Sequence, residues 1–499
     1  MVSLGSECER ALGLLVSTAV CLFVLVGRGD CDSQADVQAI VARQIERGNR
    51  DITVPAGRYR VTPRDGHHLL LSGLTNVTVN ATGAELVCTA YVNALVVTNC
   101  SGLTVRGLAI DYDPLPWTQG RVTAVDAKTR TAEVEIADGY PDHDILTFKN
   151  QYFDAATREL LDLPGAARFE RLGLRRLRAH WNKGAKLPPK GALFVSNVAH
   201  PVRTRFQKGP DDYSRAIHAV VQVDSRETRF EDVTVWASPW FSFFERDCDG
   251  TVYERCRVDR RPPEADPVRR GMARLRASNS DAFHCTRAAR GPKVKNCIAR
   301  YMEDDGVNVH GLYHFISAAH GTELRVLGQG GMNLRPGDAV ELLDEKGDLL
   351  PDARVVSIRP DDPREVTSDE LARLKCRDMR PYFRDHWRPK AYRVTLDRAE
   401  SLAFGSVIVS LAHAGRGFEV TDSVIGHTRA RGVLVRARDG LVARNEIMDT
   451  GLPAVLLLSE PWWLEGGTPL GTRVEDNTVL RCRAEPPIQR KVPKVRPRH

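Results

Sequence analysis

The chain predicts an all-β fold: a right-handed parallel β-helix (a pectin-lyase-like solenoid) with two small inserted β subdomains. Alternating triplets opened by a small or polar residue recur at Val233–Val235, Cys256–Val258, Asn296–Ile298, Asp422–Val424, Asn445–Ile447 and Asn477–Val479. The steps from Val235 to Val258 and from Val424 to Ile447 are both 23 residues, and the longer steps leave room for insertions. A step of 23 or 24 residues also separates Asp281 from the adjacent pair Asp304 and Asp305. Alternation over short runs marks strands with one buried face. Its return at one coil length marks a solenoid rather than a sandwich.

The elements follow in order. Residues 1–30 read as a signal peptide, because 11–26 form an uncharged, mostly apolar run shorter than a typical membrane span. This predicts an exported protein (secreted, periplasmic or cell-surface) with no stable membrane span. Residues 31–116 hold an N-terminal cap and the first coils: Val37, Ile40, Val41 and Ile45 have helical spacing. Such a helix can cover the open strand edges of a first coil. Residues 117–215 break the period as a first β-rich insertion, with a hairpin pattern over 120–136. Catalytic coils are expected over 216–321 and a second β-rich insertion over 322–412, with a short charged helix near 367–376. The last coils cover 413–483, and the basic run 484–499 reads as a disordered tail. Asn296, Asn445 and Asn477 are expected to stack as a hydrogen-bonded ladder at one corner.

Charge and cysteine usage exclude several classes. Five basic residues in 490–499 account for most of the formal charge of +7, so 7 − 5 leaves the body near +2. That balance speaks against nucleic acid as a partner and against a polyanionic substrate. The eleven cysteines include no Cys-x-x-Cys, and Cys88/Cys100 and Cys285/Cys297 are each 12 apart, too far for a zinc knuckle. Most are expected as buried thiols, Cys256 and Cys285 among them, with one or two disulfides left open. No phosphate loop, nucleophile elbow or dinucleotide fingerprint occurs, so no cofactor is expected. A homodimer is left open.

The 24-residue step places Phe283 over Val307 and Cys285 over Val309, all facing inward. His284 and Asn308 then face outward, with His310 beside them and the three aspartates at the bends leading in. Glycoside hydrolysis needs one carboxyl to protonate the leaving oxygen and another to activate water or attack carbon. Strands about 4.8 Å apart allow splayed carboxyls to reach the roughly 6.5–9.5 Å of an inverting pair. Like charges so close raise one pKa and give an acid beside a base. Asp281, alone on its coil between Ser280 and Ala282, is the expected acid. Asp304 and Asp305, with Gly306 allowing a bend, are the expected base site. Turn aspartates with no catalytic task are the plainer alternative.

The segments Ser280–His284, Arg290–Cys297, Glu303–Gly311, Ile110–Gly120, Arg429–Arg436 and Trp463–Gly467 resemble glycoside hydrolase family 110. The resemblance runs from about residue 35 to 482. It implies an exo-acting, inverting α-1,3-galactosidase that needs no metal and removes terminal galactose from blood group B-like or linear α-Gal glycans. Asp281, Asp304 and Asp305 match the three catalytic aspartates of that family in spacing. For substrate binding, Trp463 can cover the apolar face of galactose and Glu465 can take hydroxyls, with His284 and His310 beside the acids and Arg431 near them. Polygalacturonases also carry an aspartate followed one coil later by Asp-Asp. Here, however, Val309 precedes His310 and no Arg-Ile-Lys occurs. The alternatives are therefore a polygalacturonase-like hydrolase, a polysaccharide lyase and a non-catalytic β-helical glycan-binding protein.

Overall fold

The computed structural model describes residues 36–142, 145–198, 217–268, 270–328, 332–375 and 389–484. The expected signal segment 1–30 and the basic tail from 485 onward lie outside them. Two parallel sheets of nine strands and one of eight, to which the short strand Glu465–Gly466 adds antiparallel, form a right-handed β-helix. The coil register matches the expected step where it matters most: Phe283 pairs Val307, His284 pairs Asn308, and Cys285 pairs Val309. Helix α1 (Val37–Glu46) caps the first coil, with Asp36 accepting from the Ala39 N–H at 3.1 Å and Val37 and Val41 buried.

One corner of the coil is set by a left-handed residue. Asp232, Arg255, Asn296, Asp422, Arg444 and Asp476 all have φ between +53° and +56°, a region that costs most side chains energy but tolerates Asn and Asp. The residue after each one points inward. Asn296 therefore occupies the exposed corner and not the ladder, where Cys297 stands instead. The ladder proper runs Ser423, Asn445, Asn477. The same corner moves two registers by one residue: Val258 faces Ala299, and Ile425 faces Ile447 across a step of 22, so Ile298 and Val424 are not the inward positions. Buried Asn445 donates to the Val420 carbonyl at 2.8 Å and to Asn477 Oδ1 at 2.9 Å, and accepts from the Ser423 N–H at 3.0 Å. Asn445→Ala is expected to cost about 1–3 kcal/mol, since it leaves buried backbone groups unpaired. Chemical denaturation reads that loss.

Aromatic rings stack along the interior next to the site. Phe243 lies on Phe283 with centroids 5.0 Å apart, and Phe230 lies on Tyr253 at 5.4 Å. Such offset stacks add to simple area burial. The seven described cysteines are all free thiols, six of them buried.

Two insertions leave the solenoid. The first is a six-stranded antiparallel sheet spanning Trp117–Asp126 to Leu193–Val198. The second is a closed six-stranded barrel whose first strand is His314–His320 and whose last is Ser406–Ser410. It begins ahead of residue 322, where the sequence pattern breaks, because the coil strand Val307–Leu312 runs almost directly into it. Its interior holds Ile316, Leu324, Val326, Val340, Val394 and Ile408. Helix α2 (Ser368–Lys375) lies within this insertion. Among the described residues, no helix is long and apolar enough to cross a membrane.

Candidate active site

Asp281 stands in the bend before the strand Phe283–Thr286, and Asp304 and Asp305 stand in the equivalent bend before Val307–Leu312. Register brings them together: each offers an oxygen within 4.8 Å of the others. That is tighter than the roughly 6.5–9.5 Å expected for an acid and base flanking water. The cause is local, because the Asp305 N–H donates to Asp281 Oδ1 at 3.2 Å and joins the two bends. Gly306 is required by close approach. A Cβ there would stand 2.5 Å from the Gly432 carbonyl oxygen and 2.4 Å from Ile425 Cγ2.

The three carboxyls differ in surroundings. Asp281 and Asp305 are each 3% exposed, whereas the Asp304 side chain keeps 26% of its surface and lies 3.3 Å from Arg429 Nη2. Asp305 Oδ1 accepts the Arg431 N–H at 2.8 Å, and its Oδ2 lies 3.6 Å from the Arg431 guanidinium. Burial nonetheless pushes the Asp305 carboxyl up to about 8. Arg431 opposes this, while Asp304 and Asp281 add to it. The corner therefore does not carry its full negative charge near neutral pH.

His284 and His310 continue inward from Asp281. His310 Nδ1 donates to the Gly311 carbonyl at 2.6 Å, so its Nε2 accepts from His284 Nε2 at 3.1 Å. One proton then remains between His284 Nδ1 and Asp281 Oδ2, 2.7 Å apart. Burial brings His284 down to about 4 and holds His310 well below the usual histidine range, so both rings are neutral. Phe241 stacks on His284 at 4.0 Å and seals that side.

The expected binding residues divide. Arg431 stands at the acids and also meets Glu460 at 3.2 Å. Glu465 is buried, 2.8 Å from Arg436 Nη1 and 4.0 Å from His310 Nε2, and burial raises its carboxyl. Trp463 is half-buried against the apolar cluster of Leu312, Val409 and Leu464 where barrel and coil meet. Sequence reasoning missed Arg436, which is fully buried and joins Asn308 (2.9 Å), Glu460 and Glu465. It also missed Glu303 and Arg429, paired at 2.8 Å. The available signal was three arginines, at 429, 431 and 436, on one coil. Arginines on a buried strand require carboxylates nearby.

By distance alone, two sets could hold a metal ion: the three aspartates, and His284 with His310 and Glu465. In both sets ligand atoms are already engaged, Asp281 with His284 and Glu465 with Arg436.

No family model matches the chain. It is similar to α-1,3-galactosidase A of Shewanella woodyi, 19% identical over 435 residues, which is 83% of this chain and 65% of that protein. The chain thus spans just under two thirds of that relative's length. Among solved structures it resembles the catalytic domain of a family 87 α-1,3-glucanase in complex with tetrasaccharides, with TM-score 0.40 and 8% identity. That match covers 90% of this chain and 44% of the other. An exopolygalacturonase from Thermotoga maritima matches with TM-score 0.24 and 11% identity, covering 90% and 89% of the two chains.

Proposed function

We propose that this protein is an exo-acting glycoside hydrolase that removes terminal α-1,3-linked galactose with inversion at the anomeric carbon. The observation that carries this reading is the cluster of three aspartates, two deeply buried and one half-exposed, at one corner of adjacent coils. Similarity to an α-1,3-galactosidase supports the choice of sugar and linkage.

The roles follow from the contacts. Asp281 is a poor candidate for the acid expected from its sequence context: Oδ2 is bound to His284 and Oδ1 accepts the Asp305 N–H. Asp305, pushed up to about 8, holds its proton near neutral pH and gives it to the leaving oxygen as the glycosidic bond breaks. Arg431 steadies the charge that Asp305 is left with. Asp304, nearest to solvent and beside Arg429, is the ionised partner and takes the proton of the water that attacks the anomeric carbon. A separation below 4.8 Å is by itself closer to the roughly 5–5.5 Å of a retaining pair. Of the two buried carboxyls, both oxygens of Asp281 and Oδ1 of Asp305 are engaged in hydrogen bonds, and the stereochemistry of the released sugar decides between single and double displacement.

A uronate substrate fits less well. Arg429, Arg431 and Arg436 are each paired with carboxylates already, and a second anion would have to displace them. Proton NMR of the first sugar released from a terminal α-1,3-galactosyl disaccharide is expected to show β-galactose before mutarotation. Initial α-galactose would mean a covalent intermediate and end the single-displacement reading. Unsaturated products would mean a lyase, and binding without turnover a glycan-binding protein.

A further inference from the structure

The first insertion and the catalytic corner enclose a cavity of about 750 Å³, walled on one side by residues 150–166 and on the other by coil residues around 301–303, 427–429 and 449–452. Ligand pockets run from roughly 300 to 1,000 Å³. None of the three aspartates lines the cavity, but it reaches the residues next to them: Arg429 lines it, pairs with Glu303 at 2.8 Å, and lies 3.3 Å from Asp304 Oδ1. Its charges balance, with Arg158, Arg429, Arg481 and Arg483 set against Glu159, Asp162, Glu303 and Asp449. Phe153 and four leucines supply apolar contact. Such a lining offers donors, acceptors and apolar faces with no net charge, which suits a neutral polyhydroxylated ligand and not a polyanion. The insertion's wall is also held to the coil that carries Asp281. Arg158 Nη2 donates to the carbonyls of Ala273 and Arg274 at 3.0 and 2.9 Å. Buried Arg276 joins Gln151 (2.7 Å) to Asn279 (2.8 Å), two residues before Asp281.

We propose that this cavity is the leaving-group subsite, which binds the neutral oligosaccharide that carries the terminal sugar. The first insertion thereby selects which glycans are cleaved. The assignment rests on the hydrolase reading above and extends it from the scissile sugar to the chain behind it.

Glu159 and Asp162 are exposed lining residues of the insertion, outside the catalytic machinery. The test compares α-galactosyl fluoride, whose leaving group fills no subsite, with a neutral α-1,3-galactosyl tetrasaccharide. Glu159→Trp and Asp162→Trp are expected to lower kcat/KM at least tenfold on the tetrasaccharide and to leave the fluoride within twofold. An equal fall on both substrates, or no change on either, overturns the subsite. If the wild type cleaves neither, the hydrolase reading fails, and calorimetric titration of the same tetrasaccharide then decides the cavity alone. Binding that the Trp variants lose upholds the site; no binding, or binding the variants keep, overturns it.

Discussion

Asp305→Asn is expected to abolish most turnover and to make the protein more stable. Loss of a positioned acid costs roughly 10²–10⁴-fold in rate, read as kcat on the disaccharide. The stability gain follows from linkage. Burial raises the folded-state pKa of Asp305 from 3.8 to about 8. Between those values the folded chain binds a proton that the unfolded chain has released, so wild-type stability falls as pH rises from about 4 to about 8. Asn keeps an acceptor for the Arg431 N–H (2.8 Å in the wild type) and carries no charge to desolvate. The variant should therefore melt above the wild type at pH 8, with the gap closing toward pH 4. A variant that melts lower at pH 8 would show that Arg431 compensates the buried charge in full.

Arg436→Met is expected to be the most destabilising single change near the site. Its guanidinium is fully buried, and it neutralises Glu460 and Glu465, both nearly buried themselves. Removing one partner of a buried ion pair costs about 3–5 kcal/mol, because the remaining charge stays desolvated. Two carboxylates lose their partner here, though Arg431 still reaches Glu460 at 3.2 Å. Chemical denaturation measures the loss. Adding Glu465→Gln to Arg436→Met should recover part of it, a recovery that a purely steric defect would not show.

The catalytic coils were legible because Phe283, Cys285, Val307 and Val309 alternate cleanly with polar neighbours, and that alternation permits one register. Asn296 misled for a physical reason: asparagine suits both a left-handed corner and an inward ladder, and only the neighbouring coils decide between them. The barrel was seen only as a break in period, since its antiparallel pairings carry no repeat at coil length. The arginine network stayed hidden for the same reason that it is costly to break. Arg436 meets Asn308 across 128 residues of sequence, and no local pattern encodes a partner so distant. The difference between Asp281 and Asp304 was also out of reach, because it depends on how much of each bend the folded chain covers.

The barrel's place between two neighbouring coils has a consequence for how the chain acquires activity. The coils between the two insertions close on short steps, such as His284 onto Asn308, while the next coil reaches Asp305 through Arg431 across 126 residues. Loop-closure entropy grows only slowly with length, yet distant contacts still form late when nearer ones can nucleate first. Arg431 and Arg436 arrive together on that late coil, bringing the charges that the three aspartates and two glutamates need. On refolding, the chain should regain its sheet signal before its turnover, and the interval between them is the time taken to close one long loop.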